Sequence, residues 1–220
     1  MSQFPDTTAA WTALAGDMQG QRLLRLRFPH GDSPAGIQFL ANSLAASESL
    51  SRDFSYVVEV LSDDAAIALD KVMGKMVTIE LVREDGTLRY FNGYVFEFRF
   101  LRTDGGFAFY EMVLEPWLSH LHLRQNNVAF HGLTVAALTD QVFDDYLMRD
   151  YKLAASGADP AITYTCQHNE SDHNLLHRHW EQLGWHYRYE HRFDGHTLWL
   201  GDDSTSSKPI DGASNAMPFR

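Results

Sequence analysis

The sequence predicts an α+β protein that is mainly antiparallel β, with a β-barrel followed by a smaller α/β subdomain. Apolar and polar residues alternate along several short segments before residue 116, as they do in strands with one buried face. Asp-Gly and Gly-Gly pairs separate some of these segments, which is typical of hairpin turns. Two longer stretches with helical spacing of apolar residues follow after residue 134. Together these observations predict a sheet-forming first half and a mixed second half.

The barrel is predicted over residues 22–116, after an N-terminal arm at residues 1–21. Residues 42–52 are small and polar, so we expect a loop or an irregular helix there. Asp63–Val72 is a candidate for a short helix that Gly74 would end. Gly93 lies within a long aromatic strand and predicts a bend or bulge. The predicted strands cover residues 24–28, 37–40, 54–60, 76–82, 88–101 and 107–114.

An α+β subdomain is predicted over residues 117–203, and a linker over residues 204–220. We expect short extended pieces at Leu121, Leu123 and residues 128–131. Thr134 is placed to cap a helix that would bury Val135, Leu138, Val142 and Tyr146 on one face.

The segment 161–200 predicts a strand, a capped helix, a glycine stop and a closing hairpin. Ser171 or Asp172 can cap the helix, and Asp172 also suits the positive end of the helix dipole. Gly184 suits the left-handed residue that ends a helix. Trp185, Tyr187 and Tyr189 then alternate with polar residues, as in a strand.

The composition excludes several classes of protein. The 18 basic and 29 acidic residues give a net charge of −11, which argues against nucleic acid or an anionic membrane as the main partner. Cys166 is the single cysteine, so an internal disulfide cannot form. No uncharged apolar stretch approaches the roughly 20 residues of a membrane span.

Two histidine-containing pairs are the candidates for chemistry. His173 and His177 lie four residues apart on the predicted helix and could bind a metal together, although no further ligand can be named from the sequence. Cys166 and His168 would share one face of a strand, but no third group orients them. We interpret the histidines as surface or interface residues and Cys166 as a small buried residue. The sequence therefore predicts no catalytic, cofactor-binding or metal-binding residues.

The aromatic run from Tyr90 to Phe109 has two interpretations. It could be a platform on which sugars or bases stack, or it could be barrel wall and subunit interface. Large aromatic residues on both faces of one strand indicate that both faces are covered, which favours the interface.

Four segments, in this order, resemble one protein family. The first is Arg89-Tyr90-Phe91-Asn92-Gly93-Tyr94-Val95, which is similar to a barrel hairpin motif of that family. The second runs from Leu114-Glu115-Pro116-Trp117-Leu118 to Phe130-His131-Gly132-Leu133-Thr134. The third is Glu170-Ser171-Asp172 with its helix and Gly184, and the fourth comprises Asp203-Ser204 and Pro218-Phe219-Arg220.

The family is VgrG, the spike protein of bacterial type VI secretion, which is related to the baseplate hub of contractile-tailed phages. The resemblance extends from about Leu24 to Arg220. His173 and His179 depart from it, since the family usually has an aromatic residue and a leucine there. The motif residues to which the resemblance assigns a structural role are Arg89, Tyr90, Phe91, Gly93, Pro116, Trp117, Gly132, Glu170, Ser171, Asp172 and Gly184.

The resemblance implies a non-enzymatic hub module of a puncturing spike. It implies a homotrimer seated on the hexameric Hcp tube, with baseplate proteins and effectors or their adaptors as partners. It further implies assembly in the bacterial cytoplasm and then export by type VI secretion. The alternatives are a histidine-dependent hydrolase and a carbohydrate- or lipid-binding β-domain.

The resemblance also implies that a second barrel and a β-helical needle would follow in a complete spike. We therefore expect the chain to be an N-terminal fragment or a truncated relative. We expect it to be a monomer or a weak oligomer when isolated.

Overall fold

The computed structural model describes residues 22–206. The predicted arm at 1–21 and nearly all of the predicted linker at 204–220 lie outside the described residues. Within the described range the chain is mainly antiparallel β with two α-helices, which confirms the predicted fold class.

The first six strands form one curled antiparallel sheet, a half-barrel. Their order across the sheet is β1-β4-β5-β6-β3-β2, so β1 and β2 are its edges. The Arg22 guanidinium donates a hydrogen bond of 2.8 Å to the carbonyl oxygen of Ala41, which brings these edges together. The strands are β1 (Leu24–Arg27), β2 (Leu40–Ser47), β3 (Ser55–Ser62), β4 (Met76–Val82), β5 (Leu88–Asp104) and β6 (Phe107–Glu115).

The interior of the half-barrel is filled by alternate residues of its central strands. From β3 these are Tyr56, Val58 and Val60, which have no exposed surface. Their neighbours on β6 follow the same period of two, with every second residue from Ala108 to Leu114 buried. The alternation that predicted these strands therefore marks the face that packs into this core.

The long strand β5 contains two bulges, and neither is at Gly93. The register shifts between Val95 and Glu97 and again between Phe100 and Arg102. The first shift places Phe96 as an extra residue, so Val95 and Phe98 both lie in the half-barrel core despite their spacing of three.

Gly93 is required for a different reason from the one predicted. A Cβ atom at this position would lie 2.8 Å from the carbonyl oxygen of Glu115 on β6, which is closer than a Cβ contact can be. The residue therefore permits close approach of two backbones rather than a bulge.

Three further predictions in the first half are wrong. Strand β2 occupies most of the segment expected to be a loop, and Ile37 and Phe39 in the expected strand at 37–40 are buried without belonging to a strand. Strand β2 is an edge strand whose small side chains are mostly exposed. Its sequence therefore lacks the alternation of apolar and polar residues by which a strand is predicted. The expected helix at Asp63–Val72 is only a short 3₁₀ turn at Leu69–Lys71. The Asp64 side chain accepts a hydrogen bond from the Ala66 N–H (2.8 Å), which forms a local turn instead of a helix start.

The second half consists of a ribbon, a small sheet and two helices. Strands β7 (Gln125–Leu133) and β9 (Ile162–Ser171) form the antiparallel ribbon. Strand β11 (His196–Gly201) pairs antiparallel with β10 (His186–His191) and parallel with β8 (Tyr151–Ala154). The four residues of β8 were not predicted, because so short an alternation gives no clear signal.

Both predicted helices are present, with the expected signals at their ends. Helix α1 (Val135–Phe143) begins where the Thr134 hydroxyl accepts a hydrogen bond from the Ala137 N–H (3.1 Å). Helix α2 (Asp172–Gln182) begins where Ser171 accepts from the Asn174 N–H (3.2 Å), so Ser171 rather than Asp172 is the cap. Gly184 follows α2 with a φ of 70°. None of the helices in residues 22–206 is long and apolar enough to cross a membrane.

One expected extended piece is instead a 3₁₀ helix, at Trp117–His122. Its residues Trp117, Leu118 and Leu121 are buried in the second core, between the two α-helices and the small sheet. Since this segment begins directly after Pro116, the proline fixes the point at which the chain leaves the half-barrel.

The second core also covers the outer face of the half-barrel. Met76, Tyr94 and Phe96 point outward from β4 and β5 and pack with the residues of the second core. From Asn92 to Phe96 the aromatic strand is therefore covered on both faces, and the outer cover is the chain's own second half. Further along, Phe100 is 50% exposed, and the predicted subunit interface stays a prediction.

Candidate functional site

The two cores meet at a junction formed by Asn92, His191 and His196. The buried side-chain amide of Asn92 is at its centre. Asn92, on the outer face of β5, has no exposed surface. Its side-chain NH₂ donates to the carbonyl oxygens of Arg192 and Gly195 (the latter at 2.8 Å) in the hairpin between β10 and β11. Its side-chain oxygen lies 2.9 Å from Nδ1 of His191 and 3.1 Å from Nδ1 of His196. The Asn92 side chain thus connects the hairpin between β10 and β11 to the half-barrel by hydrogen bonds.

His196 is fixed in one tautomer by its two neighbours. Its Nε2 accepts a hydrogen bond of 3.1 Å from the backbone N–H of Trp117. The proton must therefore be on Nδ1, which donates to Asn92. Complete burial, followed by the nearby His191 and Arg192, lowers the pKa of His196 well below its usual value. The imidazole is therefore neutral, and it links the Asn92 side chain to the backbone of Trp117.

His191 continues the network into the half-barrel. Its Nε2 lies 2.9 Å from the hydroxyl of Tyr56, which donates a 2.5 Å hydrogen bond to Glu48. Burial, with a smaller contribution from the charge of Arg89, lowers the pKa of His191 to about 3. A further contact joins the two halves where Thr78 on β4 donates to the carbonyl oxygen of Phe193 (2.9 Å).

The Glu-Ser-Asp motif forms a second polar network inside the subdomain. The Asp172 side chain is 1% exposed. Its Oδ2 accepts from the Tyr146 hydroxyl (2.7 Å) and pairs with Arg124 Nε (3.1 Å), while Oδ1 accepts from Gln167 (2.7 Å). Burial and the Asp172 charge raise the pKa of Tyr146. The motif therefore ties α2, α1 and the start of β7 together.

Glu170 of the same motif lies nearer the surface. It pairs with Arg178 on α2 (3.0 Å), and both side chains are partly exposed. Gly132, on β7, has a φ of 64°, which a residue with a side chain rarely adopts.

The remaining motif residues lie on β5 and just after β6. Arg89 stacks over the ring of Phe91 (4.6 Å) and lies 3.5 Å from Glu48. Tyr90 contacts the ring of Phe193 edge to face. Trp117 is buried, and its indole N–H donates to the carbonyl oxygen of Asp150 (3.2 Å).

The candidate pair Cys166 and His168 lies on the surface of the β7–β9 ribbon. Cys166 and His168 are both exposed on β9, and the thiol donates to the neighbouring Gln167 carbonyl oxygen (3.5 Å). The interpretation of Cys166 as a buried residue is therefore wrong. Thr165 and Gln167 occupy the buried face of β9, so Cys166 and His168 between and beside them lie on the face that is open to solvent.

His173 and His177 are stacked, with ring centroids 3.6 Å apart, but they do not converge on one point. Nδ1 of His177 lies 2.9 Å from the carbonyl oxygen of His173, and its Nε2 lies 2.9 Å from the Tyr187 hydroxyl. Both nitrogens of His177 are thus engaged, and the predicted helix pair is not a chelate.

A small cleft lies beside the junction, away from the predicted aromatic platform. Its volume is about 250 Å³, below the range of about 300–1,000 Å³ typical of small-molecule sites. Its walls come from the segment before β3 and from β10, including Glu48, Arg52, Phe54, Arg188, Tyr189 and His191. The run Tyr90–Phe109 contributes nothing to its lining.

Sequence reasoning missed the central residues Asn92, His191 and His196. A signal was present, because Asn92 is a polar residue inside an aromatic strand and a buried amide needs partners. Its partners lie about 100 positions further along the chain, which no local pattern reveals.

This curled sheet with a helical subdomain docked on its outer face defines the class of tail and spike hub proteins. Residues 47–219 match the family of phage tail baseplate hub (GPD) proteins. The chain belongs to this family, and the resemblance to VgrG is confirmed by relatives over most of its length.

Type VI secretion system spike protein VgrG1c of Pseudomonas aeruginosa is 33% identical, over 86% of this chain and 27% of that protein. Actin cross-linking toxin VgrG1 of Vibrio cholerae is 27% identical, over 83% of this chain and 17% of the toxin. Among solved structures, the E. coli protein c3393 superposes with a TM-score of 0.75 at 22% identity, over 86% of this chain and 51% of that one. It is described as a type VI secretion component similar to the T4 phage tail proteins gp27 and gp5. The chain thus spans about a quarter of the curated spike protein VgrG1c.

Proposed function

We propose that this chain is a structural hub module of a type VI secretion puncturing spike. In this proposal three copies assemble within complete spikes and sit on the hexameric Hcp tube. Baseplate proteins and effectors or their adaptors are the other partners. The observation that carries the proposal is the match to the baseplate hub family over residues 47–219.

The physical character of the junction supports a structural role. Asn92, His191 and His196 join the two halves through buried and partly buried hydrogen bonds. Such networks hold elements in one arrangement, since breaking any bond leaves a buried polar group unpaired. A module that transmits the thrust of a contracting tail requires this rigidity.

The proposed role is non-enzymatic. The exposed Cys166 and His168 lack an orienting group, and the nitrogens of His177 are occupied. We infer assembly in the bacterial cytoplasm followed by export with the spike. The proposed division at residue 116 separates the half-barrel from the subdomain that packs on it.

A chimeric spike tests this proposal. Residues 24–203 would replace the matched segment of VgrG1c in Pseudomonas aeruginosa, and Hcp released into the medium would be measured. We expect release well above that of a strain without this spike protein, because the segment supplies the same hub surface. A chimera that is stable and abundant but releases no Hcp would contradict the proposal.

Two matched variants of the chimera separate a structural role from the hydrolase alternative. A double change, Cys166→Ala with His168→Ala, should leave Hcp release unchanged, because both side chains are exposed and outside the networks. Gly93→Val should abolish release, because its side chain would meet the backbone of β6. Loss of release in the double variant would favour chemistry at β9 instead.

The isolated chain should be a monomer or a weak oligomer, because it spans only 27% of the related spike VgrG1c. Light scattering coupled to size exclusion should give a mass near 25.0 kDa at low concentration, rising at most partly towards the trimer. A stable trimer at the lowest concentration would show that these residues contain the main trimer contacts.

A further inference from the structure

Three potential metal ligands from distant parts of the sequence converge beside the junction. Asp53 immediately precedes β3, His122 ends the 3₁₀ helix, and His173 lies in the first turn of α2. One ligand atom from each lies within 4.8 Å of the others. This set differs from the helix pair considered from the sequence, since it replaces His177 by His122 and adds a carboxylate.

The distances fit a shared cation better than direct hydrogen bonds. Nε2 of His122 and Nε2 of His173 each lie 3.7 Å from Oδ2 of Asp53. Hydrogen bonds between such atoms are about 2.7–3.2 Å long. Ligand atoms on a tetrahedral zinc ion, with bonds of about 2.1 Å, are about 3.4 Å apart. The three ligand atoms are thus close to the spacing that one zinc ion requires, and a rotation of the His122 side chain would have to complete the coordination.

Two hydrogen bonds orient the Asp53 carboxylate towards the histidines. Oδ1 of Asp53 accepts a hydrogen bond from the Tyr189 hydroxyl (2.7 Å), and Oδ2 accepts from Ser119 (3.1 Å). These bonds present Oδ2 to the two histidines. Metal-binding carboxylates are commonly held by hydrogen bonds of this kind, which fix their direction before the ion arrives.

The His173 ring is held in place by stacking, and its Nε2 faces the Asp53 carboxylate. Its ring is stacked between His122 and His177, with centroid distances of 3.6 Å to each. Its Nδ1 is buried without a hydrogen-bond partner among the described residues.

His122 provides the route by which an ion would enter. Its side chain is 49% exposed and can rotate without disturbing the core. The rings of His122 and His173 are 27° from parallel, so His122 must tilt away from the stack to aim its lone pair at the same ion.

We propose that Asp53, His122 and His173 bind one divalent transition-metal ion of the zinc class. Two imidazoles and one carboxylate suit such an ion and leave one coordination position for water. The bound ion joins the half-barrel to the helical subdomain, because Asp53 leads into β3 while His173 belongs to α2. The site goes beyond the hub role, which does not depend on it.

The experiment uses the tag-free 220-residue chain, stripped of metal and titrated with Zn²⁺ by calorimetry and with Co²⁺ by visible absorption. We expect one ion per chain and the intense visible bands of four-coordinate cobalt. His122→Ala should weaken binding by at least about tenfold. Asp53→Asn should weaken it in the same direction. His168→Ala is the matched control for a histidine outside the site and should bind as the parent does.

Two further measurements keep the test decisive if a variant folds poorly. Zn²⁺ should raise the Tm of the parent and of His177→Ala, but not that of His122→Ala, whose circular dichroism should match the parent. The proposal is overturned if Zn²⁺ binds with no defined stoichiometry, or if His122→Ala binds as tightly as the parent. It is also overturned if His177→Ala removes binding while His122→Ala does not, since that result would identify the helix pair.

Discussion

At the scale of single residues, Gly93 shows how backbone packing dictates a side chain. Adding one carbon would place it 2.8 Å from the Glu115 carbonyl oxygen and 3.0 Å from its nitrogen. These are backbone atoms of a paired strand, so neither can rotate away. We expect Gly93→Ala to lower the free energy of unfolding by about 3 kcal/mol, as overpacking of a rigid core does.

Urea unfolding followed by tryptophan fluorescence measures this effect. Gly195→Ala is the matched control, because a Cβ atom there meets only flexible side-chain ends at 3.9 Å. Equal losses in the two variants would show that the close approach of β5 and β6 does not decide the choice of glycine.

Asp172 and Glu170 are two acidic residues of one motif with very different surroundings. Replacing Asp172 by Ala leaves Arg124, Tyr146 and Gln167 without their shared partner in a buried site. We expect a loss of about 3–5 kcal/mol. Glu170→Ala removes a partly exposed pair with Arg178, and should cost about 1 kcal/mol or less.

The comparison of midpoints in urea, at one pH and ionic strength, distinguishes the two acidic residues. The free energy of unfolding should fall several times further for Asp172→Ala than for Glu170→Ala. If the order were reversed, the buried network would not be what stabilises the subdomain.

At the scale of secondary-structure elements, the sequence predicts best where signals are local. Helix α2 was predicted with its cap, apolar face and glycine end, because each signal lies within a few residues of the feature it marks. The central strands of the half-barrel were predicted for the same reason, since one buried face imposes a period of two.

The elements that were missed depend on partners distant in the sequence. Strand β2 lies at an edge and buries few side chains, and β8 is held by parallel pairing with β11. The bulge at Phe96 is imposed by the register of β5 against β6, which no single strand encodes.

The same reasoning explains what could be predicted of the candidate sites. His173 was singled out because its neighbour His177 lies one turn away. His122 and Asp53 were not associated with it, because the fold alone brings them together. The family motif on β5 contains Asn92, but the sequence revealed neither its role nor its partners His191 and His196.

At the scale of the whole molecule, the histidines of the junction make the assembly of the two halves sensitive to acid. His191 and His196 have pKa values lowered by burial in the folded state, to about 3 for His191. In the unfolded chain both return to about 6.5. The unfolded state therefore binds more protons below that pH, and stability falls as the pH falls.

We expect the free energy of unfolding to be constant above about pH 7 and to decline from about pH 6.5 downward, by up to about 1.4 kcal/mol per pH unit for each proton taken up. Urea midpoints measured between pH 7.5 and pH 5 test this window, in which few carboxylates titrate. His191→Gln, which keeps a neutral polar side chain, should reduce the slope, whereas the exposed His168→Ala should not. A flat profile down to pH 5 would mean that these histidines take up protons as readily in the fold as in the unfolded chain. The neutral hydrogen-bond network between half-barrel and subdomain would then be contradicted.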